Sequence, residues 1–264
     1  LDVCAKLTHG EGTDKVYGVF WNSHQDMAQY AQFMIQQTLG GDNMYNADGT
    51  ATNFTDDVWQ KTISLISTTM NEGYAPTHAD SVTEKLSQES MFLGGKAAMT
   101  IGPWMVRNIK DTETYPHDFV TAFAPYPVVS EGQRNYTQGG YGDLLCINPR
   151  SEHLDEAWEF AKWYLTEGGL YLASGGRVPA ANTYNADDVV NAFLSGAENL
   201  FDADSTKAVL ITPHDNYAAP SITTKNAELT DIINEELEAI YTGQKTVEEG
   251  LESAKTRGDA ALAG

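Results

Sequence analysis

Positive charge, cysteine and long apolar runs are scarce in this sequence, and each scarcity removes a class of function. Lys and Arg total 16 against 37 Asp and Glu, a formal net charge of −21. A nucleic-acid binder needs a basic footprint to displace phosphate counterions, and none is present. The same charge disfavours docking on an anionic membrane surface. A transmembrane helix needs about 18 or more consecutive apolar residues, and no such run occurs. The cysteines, Cys4 and Cys146, form no C-x-x-C, so zinc and redox sites have no support. Both are expected to be buried free thiols, with a disulfide left open for an extracellular protein. The opening LDVCAKLTHG lacks a basic region followed by an apolar one and is not a signal peptide. It reads as the middle or end of a helix, which predicts a chain that starts part-way through a longer protein.

Catalytic motifs are lacking too. There is no G-x-S-x-G for a nucleophile elbow, no H-E-x-x-H for zinc and no G-x-x-x-x-G-K-[ST] for nucleotide phosphates. The segment GGYG at 139–142 precedes a strand pattern, not the helix a dinucleotide site requires. The Asp/Asn-rich turn at 45–50 fails as an EF-hand. With Gly49 at the loop's sixth position, Met44 and Thr55 fall where Asp and Glu must stand. Carboxylate pairs abound by chance in so acidic a chain, so a glycosidase dyad has no specific support. No metal, no cofactor and no enzymatic activity are expected.

What is present suits one large domain or two lobes with ample core: 264 residues, 41% of them hydrophobic. The chain is organised around Glu89 to Asn108, ESMFLGGKAAMTIGPWMVRN. Ala97 to Ile101 reads as a short buried strand, Gly102-Pro103 stops it, and Met105 to Lys110 starts a helix. Val16 to Trp21, Phe119 to Val129 and Asp143 to Asn148 are further strand candidates. Helices are predicted at about 26–39, from a Thr55 cap through a Trp59, Ile63, Ile66, Met70 stripe, and at Ser81–Met91. Others are predicted after Ser151 with Leu154, Trp158, Ala161 and Leu165 as core, with Trp163 off that stripe, and at Asp187–Leu200. A Leu229, Ile233, Leu237, Ile240 stripe marks another, and a Thr246/Glu249 capping box opens the last.

Aromatic and amide residues recur just after strands and breaks: Trp21 with Asn22 and Gln25, Trp104 after Gly-Pro, Tyr141 after Gly-Gly. Ligands of open α/β sheets bind outside the carboxyl ends of strands. Aromatic faces pack on the C–H patches of a sugar ring while amides take its hydroxyls. A Trp in any one such place is more often core than ligand platform, and composition alone leaves both readings of Trp104 open.

The stretch FLGGKAAMTIGPW resembles the F-x-x-G-K-A-A-M-x-x-x-G-x-W signature of bacterial extracellular solute-binding proteins of the carbohydrate-uptake type, the maltose-binding-protein-like family. DEAWEFAKWYLT, GGRVPA and TGQKTVEEGLESA resemble later segments of that family in its order. The resemblance implies an α/β, type II periplasmic-binding-protein-like fold: the C-terminal lobe plus a partial first-lobe segment. Residues 1–138 and 185–264 would form a discontinuous C-terminal lobe, and 139–184 would cross into the first. It implies roughly a hundred or more preceding residues carrying the signal sequence, any lipid anchor and half of the cleft. It further implies a sugar or oligosaccharide ligand and the membrane permease of an ABC importer as partner, outside the cell or in the periplasm. A polyamine, peptide or metal chelate is the alternative ligand on the same fold, and a glycoside hydrolase the alternative activity. Residue by residue, Trp104 matches the family's sugar-stacking Trp. Trp21, Asn22 and Gln25 occupy a strand-end loop that contacts ligand, Gly140 and Tyr141 a hinge strand, Arg177 a pre-crossover loop, and Asn216 with Tyr217 an irregular segment lining the cleft.

Overall fold

The computed structural model describes residues 1–24, 27–133, 144–212 and 220–264. The chain divides into two compact units. Unit 1 comprises Leu1–Ile101, Tyr126–Gly140 and Asp215–Gly264, and unit 2 comprises Gly102–Pro125 and Tyr141–His214. In chain order the described α-helices are α1 (Asp2–Leu7), α2 (Met27–Leu39), α3 (Asp57–Asn71), α4 (His78–Thr83), α5 (Val106–Lys110), α6 (Leu154–Thr166), α7 (Gly169–Ser174), α8 (Ala186–Leu194), α9 (Ala203–Thr206), α10 (Asn226–Tyr241) and α11 (Val247–Ala263). None is long and apolar enough to cross a membrane, among the described residues.

In unit 1 the first two predicted strands meet. Tyr17 pairs with Ala97 and Phe20 with Thr100, both in parallel, as isolated bridges rather than a continuous ladder. The Tyr17 N–H donates to the Lys96 carbonyl at 2.8 Å, and the Phe20 N–H donates to that of Met99 at 2.8 Å. Helix α1 lies tight against the first segment. A Cβ on Gly18 would stand 2.1 Å from the Cys4 carbonyl oxygen, so only glycine permits this approach.

The rest of unit 1 is helical cover. Trp59, Ile63, Ile66 and Met70 of α3 are all buried, as are Leu229, Ile233, Leu237 and Ile240 of α10. Burying one such side chain contributes roughly 1.5–3 kcal/mol. Trp59 meets Phe54 edge-on at 5.2 Å, and its indole N–H donates to the Asn43 carbonyl at 3.0 Å. Asp56, not Thr55, caps α3, accepting from the Val58 N–H at 2.8 Å; its carboxylate also complements the helix dipole. The predicted capping box of α11 forms, with the Thr246 hydroxyl accepting from the Glu249 N–H and the Glu249 carboxylate from the Thr246 N–H. The 45–50 segment closes as an Asp-Gly turn, with Tyr45 bridged antiparallel to Thr52.

Unit 2 packs around Phe193 and Phe201, whose rings meet edge-on at 6.4 Å, with Phe123 stacked on Phe201 at 6.4 Å. The strand expected over 119–129 contributes one parallel bridge, Thr121 to Phe201.

Four expectations are corrected. The Ser81–Met91 helix is instead α4 and a separate π-helical turn at Glu89–Leu93. Thr77 caps the chain early, accepting from the Asp80 N–H at 3.1 Å, and Lys85 takes a left-handed conformation between the two. The 187–200 helix ends at Leu194, where Gly196 at φ +80° turns the chain. Of the α6 stripe, Ala161 alone is buried, while Leu154, Trp158 and Leu165 are exposed because no layer covers that side among the described residues. Trp163, off the stripe, is 42% exposed, less than Trp158 on it at 59%, so place relative to the stripe does not decide exposure on this helix. Cys4 is a buried free thiol, but Cys146 is exposed and free, because the strand expected over 143–148 forms no β-bridge among the described residues and nothing described packs over it.

Glu236 of α10 is a buried carboxylate tied to three partners on the following turn and helix. It accepts from the Ser253 hydroxyl and from Arg257, each at 2.8 Å, and pairs with Lys245. Burial pushes its carboxyl up, but the bonds from Lys245, Arg257 and Ser253 outweigh that and hold it below the usual carboxylate range. Glu236→Ala is expected to lower stability by about 2–3 kcal/mol in urea unfolding, the scale of lost charge-assisted bonds. A loss under about 0.5 kcal/mol would mean the network does not hold α10 to α11.

Candidate functional site

The parallel segments of unit 1 deliver the chain to their carboxyl ends at Asn22 and at Ile101, the edge where α/β sheets present ligand groups. At the first end, Trp21 is 7% exposed and its indole N–H donates to the Thr69 hydroxyl at 2.8 Å. Its ring therefore lies in the core beneath the strand end. Asn22 is buried, and its amide donates to the Tyr30 hydroxyl at 2.7 Å. Ser23 is buried as well, 3.3 Å from the Nδ1 of His78. These contacts tie the tip to α2, α3 and α4, so residues 21–23 form a fixed rim.

At the second end the chain passes into unit 2 with Gly102 at φ +133°. A Cβ there would stand 2.5 Å from the Trp104 ring, which is folded back over the glycine. Trp104 sits on a 3-10 turn, Pro103–Met105, and is 38% exposed. Met105 and Val106 beside it are buried, so the turn is anchored while the indole reaches solvent. Arg177 is exposed in unit 2, its N–H bonded to the Leu172 carbonyl at the end of α7. The structure thus places Trp21 and Asn22 together in unit 1 and Trp104 and Arg177 in unit 2. Gln25, Gly140, Tyr141, Asn216 and Tyr217 lie outside the described residues. Beyond the last of these, Asp42 fixes the chain, accepting from the Ser221 N–H, the Ser221 hydroxyl and the Ile222 N–H at 2.6–2.9 Å. Burial raises the Asp42 carboxyl, but these three bonds outweigh it and hold it below its ordinary value.

Sequence reasoning missed the polar group behind the 21–24 tip. His78 of α4 faces Ser23, and its ring lies 6.3 Å from that of Tyr241 in α10. The His24 Nδ1 and the Tyr241 hydroxyl are buried with no hydrogen-bond partner among the described residues. His78 and Tyr241 stand far apart in sequence and in ordinary helical contexts, so no local pattern marks them. Among the described residues no cluster of three or more His, Cys, Asp or Glu is placed to hold a metal.

Within unit 2, a partly exposed indole on an anchored turn is a surface that can take the apolar face of a small ring. Residues 1–170 match the family model of bacterial extracellular solute-binding proteins. The chain belongs to that family. Solved solute-binding relatives share its fold. A sugar transporter from Rhizobium etli in an open conformation superposes with a TM-score of 0.71 at 21% identity, over 98% of this chain and 63% of its own. A cyclic alpha-maltosyl-1,6-maltose binding protein from Arthrobacter globiformis gives 0.64 at 19% identity, over 95% and 60%. The maltose/maltodextrin-binding domain from Bdellovibrio bacteriovorus, bound to maltotriose, gives 0.61 at 18%, over 100% and 65%. The fold is therefore the α/β type II periplasmic-binding-protein-like one, and this chain spans about three-fifths of the length of these structures. No curated protein matches the sequence.

In this solute-binding protein the His78 group predicts a pH response. Burial lowers the His78 pKa, the nearby His24 lowers it further, and the Glu238 carboxylate opposes both. The unfolded chain then takes up the proton more readily than the fold. Stability is full above the ordinary His value of about 6.5 and is lost as pH falls below it through the folded value. Thermal midpoints measured through that window are expected to fall for the natural chain and to fall less for His78→Gln. Equal slopes would show that His78 is not the group responsible.

Proposed function

We propose that this chain is part of the substrate-binding subunit of an ABC importer, holding a sugar or oligosaccharide and delivering it to a membrane permease. The family match over residues 1–170 carries this reading, supported by relatives that bind maltotriose or a cyclic maltosyl-maltose. The subunit works outside the cell or in the periplasm, lipid-anchored through a segment not among these residues. It binds and releases without catalysis, and transport energy comes from other subunits. In the complete fold, 1–138 and 185–264 belong to the C-terminal lobe and 139–184 to the crossing segment, which is a division of the family fold and separate from the compact units described above. Closure on ligand is a hinge motion between lobes.

In this reading the Trp104 indole is the platform for a sugar face, and Gly102 lets it lie flat by leaving room for the ring. Gln25 supplies a hydroxyl partner at the first strand end, while Trp21 and the buried Asn22, whose amide is held by Tyr30, fix the rim from behind. Gly140, Tyr141, Arg177 and Tyr217 complete the lining. A strongly acidic chain, net −21, also suits a cationic ligand such as a polyamine.

A melting screen of mono- and oligosaccharides against spermidine separates the two ligands. A bound sugar at a hundredfold excess over its dissociation constant stabilises by about 2.7 kcal/mol. A shift with spermidine and none with any saccharide would overturn the sugar assignment. Trp104→Ala is expected to fold normally and to weaken saccharide binding by about 1 to 3 kcal/mol, the range for a truncated aromatic anchor. If the variant fails to fold, Trp104 is a core residue and the platform is wrong.

A further inference from the structure

The turn that carries Trp104 is weakly held by its own backbone. The bond that closes it, from the Met105 N–H to the Gly102 carbonyl, is long at 3.4 Å. Helix α5 continues directly from the turn, with five residues and no side-chain cap at its start. A helix that short does not hold itself in water, since isolated helices are marginal even at about 12–15 residues. The direction of the indole therefore depends on what grips α5.

Two grips are visible, both within unit 2. At the first residue of α5, Val106 is buried and lies flush on Gly176, where a Cβ would stand 2.9 Å from the Val106 Cβ and Cγ1. Gly176 has φ +85°, so the loop after α7 comes this close only as glycine. At the last residue, the Lys110 ammonium donates to the Ser174 carbonyl at 2.9 Å and to that of Ser195 at 3.5 Å. Ser174 ends α7, Ser195 follows α8, and those two helices pack together. Carbonyls at helix carboxyl ends lack intrahelical partners and carry the negative end of the dipole, so an ammonium suits both. Burial lowers the Lys110 pKa, with the Glu198 carboxylate opposing it, so the amine gives up part of its hydration to reach these carbonyls. Arg107, the other cation of α5, stays exposed.

We propose that Lys110 is a positioning residue for the Trp104 indole: its ammonium fastens the end of α5 to the ends of α7 and α8 and so sets the angle at which the ring meets ligand. This rests on the reading of Trp104 as the saccharide platform. The loop that receives Val106 leads straight into Arg177, whose N–H closes on the Leu172 carbonyl at 3.0 Å. One clamp thus sets the backbone at Trp104 and at Arg177 together.

Lys110→Met keeps the apolar stem and removes the ammonium. In a nitrogen-15 correlation spectrum without ligand it is expected to displace or broaden the Trp104 indole signal and to leave that of buried Trp59 in place. Saccharide binding is expected to weaken by about 2- to 30-fold, the range for residues that modulate a site without touching its ligand. Lys110→Arg, which keeps the charge and the donors, is expected to restore both. An unchanged Trp104 signal in Lys110→Met overturns the proposal even where the melting temperature falls, because Lys110 then only stabilises the fold. So does an Arg variant that behaves like the Met one. If Lys110→Met does not fold, Lys110→Gln, which keeps an N–H donor without the charge, takes its place in the same comparison. The spectrum needs no ligand, so it decides the proposal even if Trp104→Ala leaves saccharide binding intact and the platform reading falls.

Discussion

Two backbone bridges, Tyr17 to Ala97 and Phe20 to Thr100, set the direction of unit 1. Because they run parallel, the chain leaves both segments on the same edge, and polar groups collect where the strands stop. The bridges are short, so packing rather than a ladder keeps them in register. Gly18 lets α1 press against the first segment, and the helices α3, α10 and α11 close the core around Trp59 and Phe54. The Trp21 indole then joins that core through Thr69 and fixes the rim from below. A small shift in this support would move Asn22, whose amide is already committed to Tyr30.

Unit 2 follows a different economy of contacts. Its centre, around Phe193 and Phe201, is packed, but α6 and the 144–148 segment leave large aromatic surface in water. Apolar surface on that scale is uncommon on the outside of a fold. The same unit holds Trp104, whose exposure has another origin. Its turn is anchored by buried Met105 and Val106, and its ring lies on a glycine. The first runs along one face of a helix, the second comes from local backbone geometry that holds an indole outward.

Local signals were legible where one element decides the outcome. The α3 and α10 stripes, the α11 capping box and the Asp-Gly turn all follow from spacing and cap chemistry within a few residues. The α3 cap moved by one residue because Asp56 and Thr55 are both competent acceptors. The 81–91 pattern predicts one helix where two turns form, because a left-handed Lys85 leaves no mark in composition. The α6 stripe was read correctly as apolar, but burial depends on what packs against a helix, and a pattern within the helix does not carry that. Of the site, Trp104 and the 21–25 tip stood out as aromatics and amides after strand ends. The His78, Ser23 and Tyr241 group did not, because it is assembled from three distant elements.

The central claim is that saccharide is held at Trp104, on the turn that follows the second parallel segment. The protein has 5 Trp residues, so the indole N–H signals in a nitrogen-15 correlation spectrum account for every candidate platform. Titrating maltotriose should move the Trp104 signal most, leave buried Trp59 in place, and leave Trp158 and Trp163 unmoved. A shift centred on Trp158 and Trp163 with Trp104 unchanged would contradict the claim and put the sugar on the α6 face instead.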